Sequence, residues 1–190
     1  MLPTLIGLSG KLLSGKDTLA AKLVTILHDQ HQLAYAIKAF ADPLRGCVSG
    51  LTGCTIQDLQ SQAFKASPSS IRNPAGGLFT YRQLLQRMGD MLRELSPAFL
   101  IDALLANLHP GGCYIIADVR KMNEVLAIKA RGGVLIRIER AEGASPDRHN
   151  TETELDAYTG FDHVIGNDGT LDELDRKVRT WLATLDPGRC

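Results

Sequence analysis

A chain of 190 residues, 44% hydrophobic and 22% charged, is the size of one α/β domain with small inserts and can bury a real core. Its 21 basic and 21 acidic residues cancel, which argues against a protein whose main task is coating polymeric nucleic acid, since that calls for a basic excess. The four cysteines (Cys47, Cys54, Cys113, Cys190) show no Cys-x-x-Cys or zinc-ligand spacing and read as reduced thiols.

The elements follow in order. Leu5-Ile-Gly-Leu predicts a buried first strand that runs into a glycine-bounded loop. Residues 17–31 predict a helix with Leu19, Leu23, Ile26 and Leu27 on one face. A second strand is expected over 33–40, further strands at Tyr114-Ile-Ile-Ala, Val134-Leu-Ile-Arg-Ile and His163-Val-Ile, and a helix over 123–131 stopped by Gly132-Gly133. Thr80-x-x-Gln83 and Thr170-x-x-Glu173 each match a capping box, so helices should start there. The last of these carries Leu174, Val178, Trp181, Leu182 and Leu185 as an apolar stripe.

Strands alternating with helices imply an α/β fold of three layers, α/β/α, around a mostly parallel sheet. The stretch 43–110 is too long for a plain loop, so it is read as a helical insert in a core of 1–42 and 111–190. Within it, Ser67-Pro-Ser-Ser and Asn73-Pro-Ala-Gly-Gly read as mobile loops. The polar segment 141–150 reads as a short lid.

Chemistry concentrates first in Gly10-Lys-Leu-Leu-Ser-Gly15-Lys16-Asp17-Thr18. Placed between a strand and a helix, this spacing predicts a P-loop. Backbone amides around Gly10, Leu13, Ser14 and Gly15 would turn toward phosphate oxygens, and Lys16 would reach the β- and γ-phosphates. The usual hydroxyl residue after the lysine is replaced by Asp17, with Thr18 next. An acid so near phosphates calls for a cation, so magnesium is expected on Thr18 or Asp17.

Three further constellations narrow the class. Asp118 and Arg120 stand two apart at a strand end, with Glu124 beyond them; ligands of open α/β sheets gather at such carboxyl ends. Arg82 and Gln86 share a helical face, which Gly89 continues; an arginine with an amide could bind a phosphate and a base edge. Arg137, Arg140, Arg148 and His149 supply positive charge where phosphoryl transfer needs it.

Taken together these segments resemble the phage-type deoxynucleoside monophosphate kinase family. The matching pieces are the loop just described, Phe40-Ala-Asp-Pro-Leu-Arg45, Thr80-Tyr-Arg-Gln-Leu-Leu-Gln, Ile116-Ala-Asp-Val-Arg-Lys-Met-Asn-Glu124, His149-Asn-Thr-Glu-Thr-Glu-Leu-Asp156 and Ile165-Gly-Asn-Asp-Gly-Thr-Leu171. The resemblance implies ATP-dependent phosphorylation of a deoxynucleoside 5′-monophosphate, and it makes a homodimer reasonable. It implies acceptor binding by Asp42, Arg45, Arg82, Gln86, Asp118, Arg120, Glu124, His149 and Glu152. Asn167 and Gly169 look like the adenine-side loop of related small kinases such as dephospho-CoA kinase. In this scheme Lys16, Arg120, Arg140, Arg148 and Asp118 form the catalytic set. Lys121-Met122, Asn150-Thr151 and Asp90 depart from the family pattern, which bears on base preference rather than on phosphate chemistry. A kinase for another small molecule, such as dephospho-CoA, and a non-catalytic nucleotide-binding regulatory module are the competing expectations. No stretch reaches the ~18 apolar residues of a bilayer span, and no basic residue precedes the apolar start, so a cytoplasmic protein is expected.

Overall fold

The computed structural model describes residues 2–140 and 154–185. By its internal contacts the chain separates into two compact units, residues 1–39 with 108–190, and residues 40–107.

The first unit is built on five parallel strands: β1 (Leu5–Ser9), β2 (Tyr35–Lys38), β5 (Cys113–Val119), β6 (Val134–Glu139) and β7 (His163–Gly166). Their order across the sheet is β2-β5-β1-β6-β7, so β1 lies at the centre. All five of its residues are buried, as the uninterrupted apolar run predicts for a strand covered on both sides. Successive side chains point to opposite faces. Ile6 and Leu8 pack into a cluster with Leu19, Leu23, Ile26 and Leu27 of α1 (Lys16–His31) and Leu174, Val178, Trp181 and Leu182 of α7 (Leu171–Leu185). Gly7 faces the other way, where an added Cβ would lie 2.6 Å from Ile128 of α6 (Met122–Lys129). Helices therefore cover both faces, giving the expected three layers.

Strand β5 carries a bulge near its carboxyl end. Gly7 pairs with Ile116 but Ser9 pairs with Val119, so β5 takes three steps where β1 takes two. The strand ends at Val119, which leaves Arg120 beyond it. Asp118 is thus the last residue but one of the strand, and Arg120 follows directly after it. Helix α6 starts one residue earlier and ends two residues earlier than expected, with Gly132 at φ 69° in the turn that follows.

The second unit contains α2 (Asp42–Thr52), a 3-10 turn (Asp58–Gln60), α3 (Gln62–Ala66), α4 (Tyr81–Leu95) and α5 (Phe99–Ala106). It has its own small core of Val48, Leu59, Tyr81 and Leu84. The expectation of mobile loops here is corrected. Pro68–Arg72 (β3) and Leu78–Thr80 (β4) form an antiparallel hairpin, and Asn73-Pro-Ala-Gly-Gly is its turn. Asn73 makes the turn: its N–H donates to Gly77 O at 2.8 Å, and its Oδ1 accepts from Ala75 N at 2.9 Å.

Both capping boxes are present. Thr80 Oγ1 accepts from Gln83 N and Gln83 Oε1 from Thr80 N; Thr170 and Glu173 repeat the exchange at the start of α7. Among the described residues no helix is long and apolar enough to cross a membrane.

Candidate active site

The loop from β1 to α1 is shaped by contacts that leave little room. A Cβ on Gly10 would lie 2.6 Å from the Ile138 carbonyl oxygen and 2.6 Å from Ser14 Oγ. Gly15 has φ 98°, and a Cβ there would collide with the Asn167 amide. That amide donates to Ser14 O at 2.9 Å, tying the turn after β7 to the loop. Leu13 adopts φ 63° with its side chain largely exposed, a conformation that costs an L-residue roughly 1–2 kcal/mol and that burial of its side chain does not offset.

The chemistry of this cradle fits an anion. No side chain caps the start of α1, whose partial positive charge is thus directed into the loop. Lys16 Nζ folds back to donate to Gly10 O and to Lys11 O, holding a cation at the same place. Ser14 Oγ is buried and has no hydrogen-bond partner among the described residues. A buried hydroxyl without a partner is costly, and a phosphate oxygen would satisfy it. Asp17 and Thr18 are both exposed on the first turn of α1. They are hard oxygen donors of the kind magnesium takes alongside substrate phosphates. Among the described residues no cluster of three or more His, Cys, Asp or Glu could hold a metal alone.

A cavity of about 550 Å³ opens beside the loop, lined among others by Lys11, Ser14, Arg137, Arg140, Asp156 and Asp168. Arg137 does not reach freely into it. Its side chain is only 10% exposed, with Nη2 on Asp156 at 2.9 Å and Nη1 donating to Ser9 Oγ at 3.3 Å. Lys11 meets the other Asp156 oxygen at 3.2 Å. Burial pushes the Asp156 carboxyl up, but hydrogen bonds and charge from Arg137 and Lys11 outweigh it and hold the group below its ordinary value of 3.8. A depressed carboxylate stabilises the fold above its unfolded pKa and loses that contribution as pH falls through the folded one. Thermal melts should therefore show the advantage of the native chain over Asp156→Asn near pH 6 and its progressive loss as pH falls below the ordinary carboxylate value of 3.8.

Known proteins decide the class. The sequence profile of the family described as deoxynucleotide monophosphate kinase matches residues 51–178. A protein of Acanthamoeba polyphaga mimivirus, provisionally named for the same activity, is 32% identical over 92% of this chain and 93% of its own length. The chain belongs to the deoxynucleotide monophosphate kinase family. The deoxynucleotide monophosphate kinase of Enterobacteria phage T4 is 40% identical over a shorter stretch, 38% of this chain and 30% of the phage protein. An unliganded sugar kinase structure from Janibacter covers 94% of this chain and is itself covered to 93%, but its TM-score of 0.41 and 13% identity carry no argument.

For a deoxynucleotide monophosphate kinase the remaining expected residues fall as follows. Asp118 and Arg120, both half-buried, stand at the carboxyl end of β5 beside Ser9 and the loop. Glu124 is buried, and its Oε2 accepts from the N–H groups of Arg120 at 2.7 Å and Lys121 at 3.0 Å. It thus caps α6 and fixes the backbone that carries Arg120. Arg140 is exposed at the end of β6, and Gly169 is exposed in the turn before α7. In the second unit Asp42 and Arg45 pair at 2.7 Å, Arg82 Nη2 donates to Gln62 Oε1 at 2.9 Å, and Gln86 is exposed. Gly89 admits a neighbour rather than leaving open space, since a Cβ would lie 3.2 Å from Leu44. Arg148, His149 and Glu152, with the expected lid, lie outside the described residues.

Lys11, Glu154 and Asp156 stand inside family-matching segments, but the sequence assigned them no role. Glu154 Oε1 accepts from Met122 N at 2.9 Å, and its other oxygen meets Lys121 at 3.3 Å. The signal was the acidic run Glu152-Thr-Glu-Leu-Asp156 within that resemblance, whose partners no spacing along the chain gives.

Proposed function

We propose that the chain moves the γ-phosphoryl group of ATP onto the phosphate of a deoxynucleoside 5′-monophosphate, with magnesium as cofactor. The observation that carries this is the cradle itself: Gly10 and Gly15 packed too tightly for side chains, the buried Ser14 hydroxyl with no partner among the described residues, and Lys16 over the start of α1. Family membership supports the acceptor class.

In this scheme the loop amides and Lys16 hold the donor phosphates, and Asn167 and Gly169 border the donor base. Thr18 or Asp17 would hold magnesium, which when bound neutralises charge on the donor phosphate oxygens. An oxygen of the acceptor phosphate attacks the γ-phosphorus as the bond to the β–γ bridging oxygen breaks, and ADP leaves with that electron pair. The acceptor oxygen is already anionic, so no strong base is needed. The family resemblance implies acceptor-binding roles for Arg120 and Asp118 and for Asp42, Arg45, Arg82 and Gln86, and Arg140 or Arg148 supplies charge to the moving group. Asp118 orients the acceptor rather than removing a proton.

Incubation with ATP, magnesium and a panel of acceptors tests this through ADP release. Stimulation by deoxynucleoside monophosphates is the expected result. Stimulation by dephospho-CoA alone, or tight ATP binding with no acceptor-stimulated release, would overturn it.

A further inference from the structure

Ser9 and Lys11 flank Gly10, the first residue of the loop, and a single carboxylate restrains both. One oxygen of Asp156 takes the Lys11 ammonium at 3.2 Å, and the other takes Arg137 Nη2 at 2.9 Å. Arg137 in turn holds Ser9 Oγ through Nη1 and lies 5.5 Å over the Phe161 ring. A guanidinium only 10% exposed cannot cheaply lose its nearer counter-charge, since its second carboxylate, Glu139, stands at 3.8 Å and is itself 62% exposed. Asp156 is therefore fixed from the protein interior, and it can restrain Lys11, whose side chain is 50% exposed and would otherwise move freely. Between the two anchored residues, Gly10 has no slack against Ile138 O and Ser14 Oγ.

We propose that Asp156 is a positioning residue for donor binding: it grips Lys11 directly and Ser9 through Arg137, and so holds the loop from Gly10 to Gly15 in the shape that takes the donor phosphates. This rests on the assignment of that loop to the donor nucleotide. Asp156 acts through the loop and not on the reacting atoms. Releasing it lets the loop sample other shapes, and apparent affinity falls by the fraction that remains competent. The cost lands on donor binding, and turnover at saturation and acceptor binding are spared. A carboxylate that merely stabilised the fold would lower the melting temperature alone. One that competed with phosphates for its two cations would, on removal, tighten donor binding.

The test compares Asp156→Asn, Lys11→Met and the double variant. Each is titrated with a non-hydrolysable ATP analogue well below its melting temperature, and each is assayed for donor KM, acceptor KM and kcat. Asp156→Asn should raise the donor Kd and KM about tenfold, with kcat and acceptor KM within about twofold. Lys11→Met should raise the donor Kd about threefold, and the double variant should bind no worse than Asp156→Asn, since the two act as one unit. An unchanged or tighter donor Kd in Asp156→Asn overturns the proposal. Should that variant fail to fold, an unchanged Kd in Lys11→Met does the same. A native chain that binds no analogue would instead overturn the donor-loop assignment.

Discussion

Lys16→Ala should lower kcat by about a thousandfold or more, because phosphoryl transfer depends on positioning and on positive charge over the phosphates rather than on covalent help. The lysine ammonium sits on the carbonyls of Gly10 and Lys11, and in the complex those contacts would be exchanged for donor phosphate oxygens. Neither end of this interaction belongs to the hydrophobic core, so the melting temperature should change little. Steady-state rates with saturating ATP and acceptor, set beside thermal melts, check both halves. A variant that folds and turns over within threefold of the native chain would remove Lys16 from the mechanism.

The second large effect is expected from a single methyl group. Gly10→Ala places a carbon 2.6 Å from the backbone oxygen of Ile138, in a strand paired on both sides, so the strand cannot retreat. The loop must give way instead, and overpacking of this kind costs roughly 1–3 kcal/mol. Donor affinity should fall at least about tenfold through loss of the preorganised shape, read as the Kd for an ATP analogue. Gly46→Ala is the control. That residue lies within α2 with nothing inside 4 Å of a built Cβ, so alanine should raise stability by about 0.5–1 kcal/mol there. Equal effects at the two glycines would show that the loop is not a tight cradle.

Much of the fold was legible because it depends on local chemistry. The buried run at β1, the apolar faces of α1 and α7 and the two capping boxes each involve residues within about two helical turns, and each is found where expected. The hairpin β3–β4 was not legible. Pro68, two serines and Asn-Pro-Ala-Gly-Gly have loop composition, and their strand character comes from pairing across the turn, where Ser69 Oγ donates to Phe79 O at 2.7 Å. The extra residue in β5 opposite Gly7–Ser9 was likewise invisible in the sequence, because a bulge is defined by the partner strand.

The sequence by itself determined where an anion-binding loop is expected. A glycine-bounded loop with Lys16 between an apolar strand and a helix is a short-range pattern that points to phosphate binding, while similarity to known proteins set the family. Only the tertiary structure decided what the charged residues around it do. Arg137 became a buried strut rather than a free cation, Glu124 a helix cap, and Asp156 the common partner of Lys11 and Arg137. The reason is that an ion pair is set by distance in space and by the water it loses, and neither quantity is carried by separation along the chain.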